Sequence, residues 1–155
     1  MFRLIVELAE YERAGDRVAG SEELLESALF GSDPVAEAVI AELDSRTGGG
    51  PDPVGFALFF RTFSTWLCRP GLWLEDLYVS PAHRRGGIGR ILLAHVAQLA
   101  VERGYGRVEW SVLDWNTPAI QFYESIGAIR LSEWAVFRLE AAALAAVAGA
   151  AGPAR

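Results

Sequence analysis

Eight residues, HRRGGIGR (83 to 90), set Arg84, Arg85 and Arg90 around Gly86, Gly87, Ile88 and Gly89, between a strand-like run and an apolar helical stripe. A glycine-rich turn that opens straight into a helix presents backbone N–H groups that no intrahelical carbonyl accepts, with the positive end of the helix dipole behind them. Such a turn suits an anion, and diphosphate is a common guest. Two phosphate loops fail against it. The nucleotide-hydrolysing loop needs Lys-Ser or Lys-Thr after its last glycine, and none follows Gly89. The dinucleotide fingerprint GxGxxG needs a third glycine where Leu92 stands.

Proton-transfer chemistry has its own candidates. Glu75 and Asp76 are adjacent in LEDLYV (74 to 79), and neighbouring strand residues point to opposite faces, so only one of them serves a given cleft. Glu75 is the expected base or cation anchor, and little in this apolar run explains burying a charge without a partner. His83 and His95 have no second residue that suggests histidine catalysis. One cysteine, Cys68, and two histidines make no metal-ligand spacing, so no metal is expected.

The elements that would position these residues follow from pattern. Leu4, Ile5, Leu8 and Tyr11 predict a helix over 2 to 13 that Gly15 ends, and Ser21 with Glu22 and Glu23 predicts the start of another over 21 to 30. VAEAVIAEL (35 to 43) fits helix or strand. SRTGGGPDP is a turn, VGFALFFRTFSTW a strand, and GLWLEDLYVS (71 to 80) a further strand that Pro81 ends. Ile88, Leu92, Leu93, Val96, Leu99 and Ala100 stripe a helix to about Glu102, stopped by Gly104. RVEWSVL (107 to 113) alternates as a strand, and NTPAIQFYESIGA (116 to 128) is a short helix with Asn116 as N-cap and Gly127 at its end. IRLSEWAVFRLE is read as a strand or strand pair, and the alanine-rich tail as a helix or a frayed end. Strand, helix, strand and helix from 71 to 126 imply a right-handed crossover and locally parallel strands in an α/β or α+β sheet.

With 155 residues, 52% hydrophobic and 22% charged, the chain is expected to form one compact domain. A formal net charge of -6 argues against a general nucleic-acid binder and suits a cationic or small neutral substrate. The opening MFRLIVELAEYE reaches Glu7 too soon for a signal peptide, and no apolar run approaches the roughly 20 residues of a membrane helix, so no membrane association is expected. A cytoplasmic protein is the expectation.

Arg84-x-x-Gly87-x-Gly89 resembles the [RQ]xxGx[GA] loop of the GNAT N-acetyltransferase superfamily. ELAEYE (7 to 12), LEDLYV (74 to 79), RRGGIG (84 to 89) and WNTPAIQFYESIGA (115 to 128) are similar to its diamine (spermidine/spermine) and thialysine acetyltransferase branch. The resemblance implies a mixed, mostly antiparallel central sheet flanked by helices, with acetyl-CoA as co-substrate. It also implies one domain over 1 to 140 ahead of the 141 to 155 tail. Family members open with a strand that is expected to be missing here, and that edge, with the homodimers of relatives, predicts a homodimer.

Position by position, the resemblance implies that Leu77, Tyr78 and Val79 lend backbone groups to the thioester and pantetheine arm. Arg84 through Arg90 would surround the diphosphate, and Asn116, Thr117, Pro118 and Ala119 would line the rest of the cofactor cleft. Tyr123 matches the proton donor and Glu75 a carboxylate at the amine site. Tyr11, Glu12, Glu109, Trp110, Ser111 and the distal Glu133 fall where the family contacts its amine.

The chemistry agrees with such an assignment. An alkylamine with a pKa of about 10.4 is only roughly 0.1% neutral near neutral pH, so a carboxylate base helps. A tyrosine with a pKa of about 10 stays protonated and can donate to a leaving thiolate. The expected activity is acetyl transfer from acetyl-CoA to a small cationic amine. A protein amino terminus, a lysine side chain, an amino-containing antibiotic, or acetyl-CoA binding without turnover are the alternatives.

Overall fold

The computed structural model describes residues 1–44 and 50–150, in two units, Met1–Ser111 and Val112–Arg155. Most of the expected SRTGGGPDP turn and the last five residues of the alanine-rich tail lie outside the described residues.

The first unit runs α1 (Phe2–Tyr11), α2 (Glu22–Phe30), β1 (Glu37–Leu43), β2 (Asp52–Ser64), β3 (Arg69–Val79), α3 (Ile88–Glu102) and β4 (Val108–Glu109). The sheet order is β1-β2-β3-β4. The first two pairings are antiparallel and β3–β4 is parallel, as the helical crossover through α3 requires. VAEAVIAEL resolves as strand because Val39 and Ile40 find partners in Ala57 and Phe56 on β2.

Two helices close the sheet from opposite faces. Leu4 and Leu8, one turn apart on α1, are buried with Phe56 and Tyr78. Gly55 points the other way, and there a Cβ would lie 3.4 Å from the Leu92 side chain of α3. Phe56 and Phe59 are fully buried, each contributing roughly 2–3 kcal/mol through apolar burial. The Glu37 carboxylate receives both Arg103 terminal nitrogens at 2.6 and 2.7 Å, which ties β1 to the end of α3.

Three boundaries differ from expectation. Helix α1 ends at a left-handed Arg13 (φ 59) rather than at Gly15, with Arg13 N–H donating to the Glu10 carbonyl and Ala14 N–H to the Ala9 carbonyl. The strand expected over 107 to 113 is only Val108–Glu109. Its partner β3 carries a bulge, with Leu58 opposite Asp76 but Phe59 opposite Leu74, so Glu75 is an extra residue. A bulge sharpens local twist and ends pairing, and β4 stops beside it.

The third difference lies in the second unit, which holds α4 (Thr117–Ser125) and α5 (Ala141–Ala150). Residues 129 to 140 form no strand. Alternation makes a strand only where a neighbour accepts its backbone hydrogen bonds, and none does so for this segment among the described residues. Helix α4 is closed at both ends as its sequence implies. Asn116 Oδ1 accepts from Ala119 N–H at 3.4 Å, and after Gly127 (φ 89) the Ala128 N–H donates to the Tyr123 carbonyl.

Candidate functional site

Strand β3 passes through a 3-10 turn, Pro81–His83, into the glycine loop. Arg85 (φ 67) and Gly87 (φ 84) are both left-handed, a backbone alternation that turns successive N–H groups toward one concavity. Gly87 is the N-cap of α3 and no side chain caps this helix. The first helical bond is Ile91 N–H to the Gly87 carbonyl, so the N–H groups of Ile88, Gly89 and Arg90 have no intrahelical acceptor. A Cβ on Gly87 would meet no protein atom within 4 Å, so that position is open as well as conformationally demanding. A Cβ on Gly86 or Gly89 would make only ordinary contacts, at 3.7 Å and 3.8 Å. This cradle fits a diphosphate.

The three arginines do not share one role. Arg84, Arg85 and Arg90 are all exposed. Arg84 folds back: its Nε donates to the Val79 carbonyl at 2.9 Å, and its Cζ lies 4.4 Å from the Tyr11 ring centroid and 5.6 Å from that of Tyr78.

Beside the loop, β4 pairs only with Leu72 and Trp73. Residues 74 to 79 of β3, including Leu77, Tyr78 and Val79, therefore have no strand on that side among the described residues. On the other side Gly55 faces Val79, and a Cβ there would lie 2.8 Å from the Tyr78 carbonyl, so the close approach of β2 needs glycine.

The acids sort themselves by the bulge. Glu75 is exposed and accepts a 2.8 Å hydrogen bond from Trp73 Nε1. Asp76 is the more buried of the two, and burial first, then the Glu75 and Glu12 carboxylates, push its carboxyl up to about 6. Glu12, the residue that caps the end of α1, is itself raised by burial. Asp76 thus has two acidic neighbours, the exposed Glu75 beside it on β3 and the partly buried Glu12 at the end of α1. Glu109 is paired with Arg107 Nε at 2.6 Å, Trp110 is half-buried and Ser111 exposed.

One participant went unread in the sequence. Glu7 on α1 accepts from Ser80 Oγ at 2.8 Å and from the Tyr78 hydroxyl at 3.3 Å, and it pairs with Arg3. Those bonds, Ser80's foremost, hold its carboxyl below the usual carboxylate range. Burial and then the Glu7 charge push the Tyr78 hydroxyl up. The available signal was spacing: Glu7 and Tyr11 are one turn apart and share a face of α1.

In the second unit, Asn116, Thr117, Pro118 and Ala119 form the start of α4, where the Asn116 amide is used as the cap. Tyr123 is half-buried on the same helix, its ring 5.3 Å from that of Phe122. Glu133 is exposed in the irregular segment after it.

Residues 5–128 match the model of the acetyltransferase (GNAT) family. The chain is 41% identical over 154 residues to the thialysine N-epsilon-acetyltransferase of Bos taurus, covering 96% of this chain and 90% of that one. It is 34% identical over 142 residues to the Homo sapiens spermidine/spermine N(1)-acetyltransferase-like protein 1, covering 89% of this chain and 20% of the other. Among solved structures, an integron cassette protein from the mobile metagenome of V. cholerae superposes with a TM-score of 0.73 at 30% identity, covering 92% of this chain and 86% of that one.

Proposed function

The chain belongs to the acetyltransferase (GNAT) family and is an acetyl-CoA-dependent N-acetyltransferase, and from that premise we propose that its acceptor is the primary amine of a small cationic molecule. A diamine, a polyamine or a thialysine-like amino acid is the substrate class. One observation carries this choice: Asp76 has two acidic neighbours, Glu75 on β3 and the partly buried Glu12, which follows Tyr11 at the end of α1. Paired negative charge next to an aromatic face favours an alkylammonium ion over a neutral or anionic acceptor.

When bound, acetyl-CoA supplies the acetyl thioester. The Gly87–Arg90 amides would hold its diphosphate, with Arg85 and Arg90 as nearby counter-charges, and residues 77 to 79 would lend backbone groups to its pantetheine arm. Asn116 through Ala119 are further proposed cofactor contacts, on the strength of the family resemblance. The acid pair draws in the ammonium group. Asp76, ionised above about pH 6, then takes the proton, directly or through water, and frees the nitrogen lone pair. Glu75 is cast as an anchor for positive charge further along the substrate, with Glu109, Trp110, Ser111 and Glu133 as more distal contacts. The Tyr123 hydroxyl is the proposed donor of a proton to the departing sulfur.

A homodimer in the cytoplasm completes the proposal. The exposed free thiol of Cys68 suits a reducing compartment, and Ile40 and Leu43, exposed on the edge strand β1, suit contact with a second copy. A monomeric mass by light scattering at micromolar concentration would contradict the dimer. Incubation with acetyl-CoA and a panel of amines, read as the mass of the acetylated product, tests the substrate class. Acetylated peptides or aminoglycosides with unreactive polyamines would move the acceptor elsewhere, and CoA binding with no acceptor would make the chain a binding module.

A further inference from the structure

We infer that Arg84 is a positioning residue that fastens helix α1, and with it Glu12 and Tyr11, to the diphosphate loop, rather than a ligand of the diphosphate. This rests on the acetyltransferase reading above for the identity of the two ligands, but the contacts that carry it do not. Arg84 is the first residue of the loop, and its guanidinium is already committed to protein on two sides: Nε to the Val79 carbonyl at 2.9 Å, and the planar face to the Tyr11 ring at 4.4 Å. Tyr78 flanks the same group at 5.6 Å.

Helix α1 has a second tie one turn earlier. There Glu7 accepts from Ser80 Oγ and the Tyr78 hydroxyl, both at the end of β3. Glu7 and Tyr11 are four residues apart, so both ties lie on one face of the helix and both reach the segment 78 to 84 that leads into the loop. The Arg84–Tyr11 tie is the one next to the acids. Glu12 follows Tyr11 directly and caps the helix, so holding the Tyr11 ring fixes where the Glu12 carboxylate sits relative to Asp76.

Arg85 offers the contrast. It is exposed, as Arg84 is, but no hydrogen bond, ion pair or ring contact ties it to α1 among the described residues. Arg85 is the cation free to face the diphosphate, whereas Arg84 links the amine side of the site to the cofactor side. Loading the loop and shaping the amine site are thereby coupled through one side chain.

The test compares R84A, R84K, R85A and Y11L in the full chain. Calorimetric titration with CoA gives its affinity, steady-state kinetics at saturating acetyl-CoA give the KM for spermidine, and hydrogen exchange without ligand follows the amides of residues 8 to 14. R84A is expected to raise the spermidine KM roughly two- to fivefold, the size of one exposed cation–π contact, with a smaller change in CoA affinity and faster exchange at the end of α1. Y11L should reproduce that pattern, and the double variant should be no worse than either single one. R84K keeps the charge but not the planar stack, and should resemble R84A. R85A should do the reverse, weakening CoA.

An R84A protein that binds CoA tenfold or more weakly, with spermidine KM and α1 exchange unchanged, would overturn the inference. If R84A does not fold, R84K carries the same comparison. Wild-type protein that binds no CoA would instead overturn the reading of the loop, while the exchange comparison would still decide whether the clamp exists.

Discussion

Asp76 on β3 and Glu12 at the end of α1 stand close enough for their charges to couple, and the Asp76 carboxyl is pushed up to about 6 by burial and its acidic neighbours. A carboxyl in that range is ionised at neutral pH yet still basic enough to accept a proton, which is what activation of an alkylammonium substrate asks of it.

The first prediction concerns rate. With ionised Asp76 as proton acceptor, kcat/KM for the amine rises as pH passes through about 6 and the Asp76 proton is lost. D76N is expected to lower kcat/KM by roughly 100-fold or more and to abolish that limb of the profile. E75Q should cost roughly tenfold or less and keep the limb. A pH–rate profile in which E75Q loses the limb and D76N retains it would return the role to Glu75.

The same group makes a stability prediction. Its folded pKa lies above the usual value of 3.8, so between about pH 4 and 6 folding takes up a proton, and stability falls as pH rises through that window. Above it, the ionised acid lowers stability by a constant amount, on the order of 3 kcal/mol. Denaturant unfolding of D76N should show a more stable protein than wild type at pH 7 and an equal one below pH 4. Equal stability at both pH values would show that Asp76 is not perturbed.

Gly87 tests the cradle. Its φ of 84 and the empty space around its Cβ position mean that G87A adds backbone strain without a clash. The expected outcome is a loss of about 1 kcal/mol in stability together with a CoA affinity at least roughly tenfold weaker, because the methyl group occupies the concavity. Unchanged CoA affinity in a calorimetric titration would place the diphosphate elsewhere.

Much of this was legible in the residues. The stripe of Leu92, Leu93, Val96 and Ala100 marks α3, and the glycines before it mark a helix start that no side chain caps, because both depend on local periodicity and backbone chemistry. Asn116 and Gly127 close α4 for the same reason. What stayed hidden depends on the partner strand. The bulge that sets Glu75 apart and turns Asp76 toward α1 comes from the register between β2 and β3, which no spacing within LEDLYV reveals. That register also limits β4 to two residues, although RVEWSVL alternates throughout. Glu7 had a readable face, but its partners Tyr78 and Ser80 lie 71 and 73 residues away.

Tyr123 is the proposed proton donor. Helix α4 is closed at one end by Asn116 and at the other by the turn through Gly127, so Y123F should fold normally. Pre-steady-state measurement of acetyl transfer is expected to show a chemical step slowed by roughly 100-fold, with KM for acetyl-CoA little changed. A Y123F enzyme with an unaltered chemical step would remove the hydroxyl from the mechanism.

The central claim is that this chain moves an acetyl group onto a small cationic amine. Its most direct test is kcat/KM, measured from CoA release at pH 7.5, for spermidine, a short diamine, thialysine and lysine beside an unblocked peptide and an aminoglycoside. One of the small amines is expected to exceed the peptide and the aminoglycoside by at least roughly 100-fold, a difference of about 2.7 kcal/mol in transition-state binding. CoA release no faster with any small amine than without an acceptor would contradict the claim.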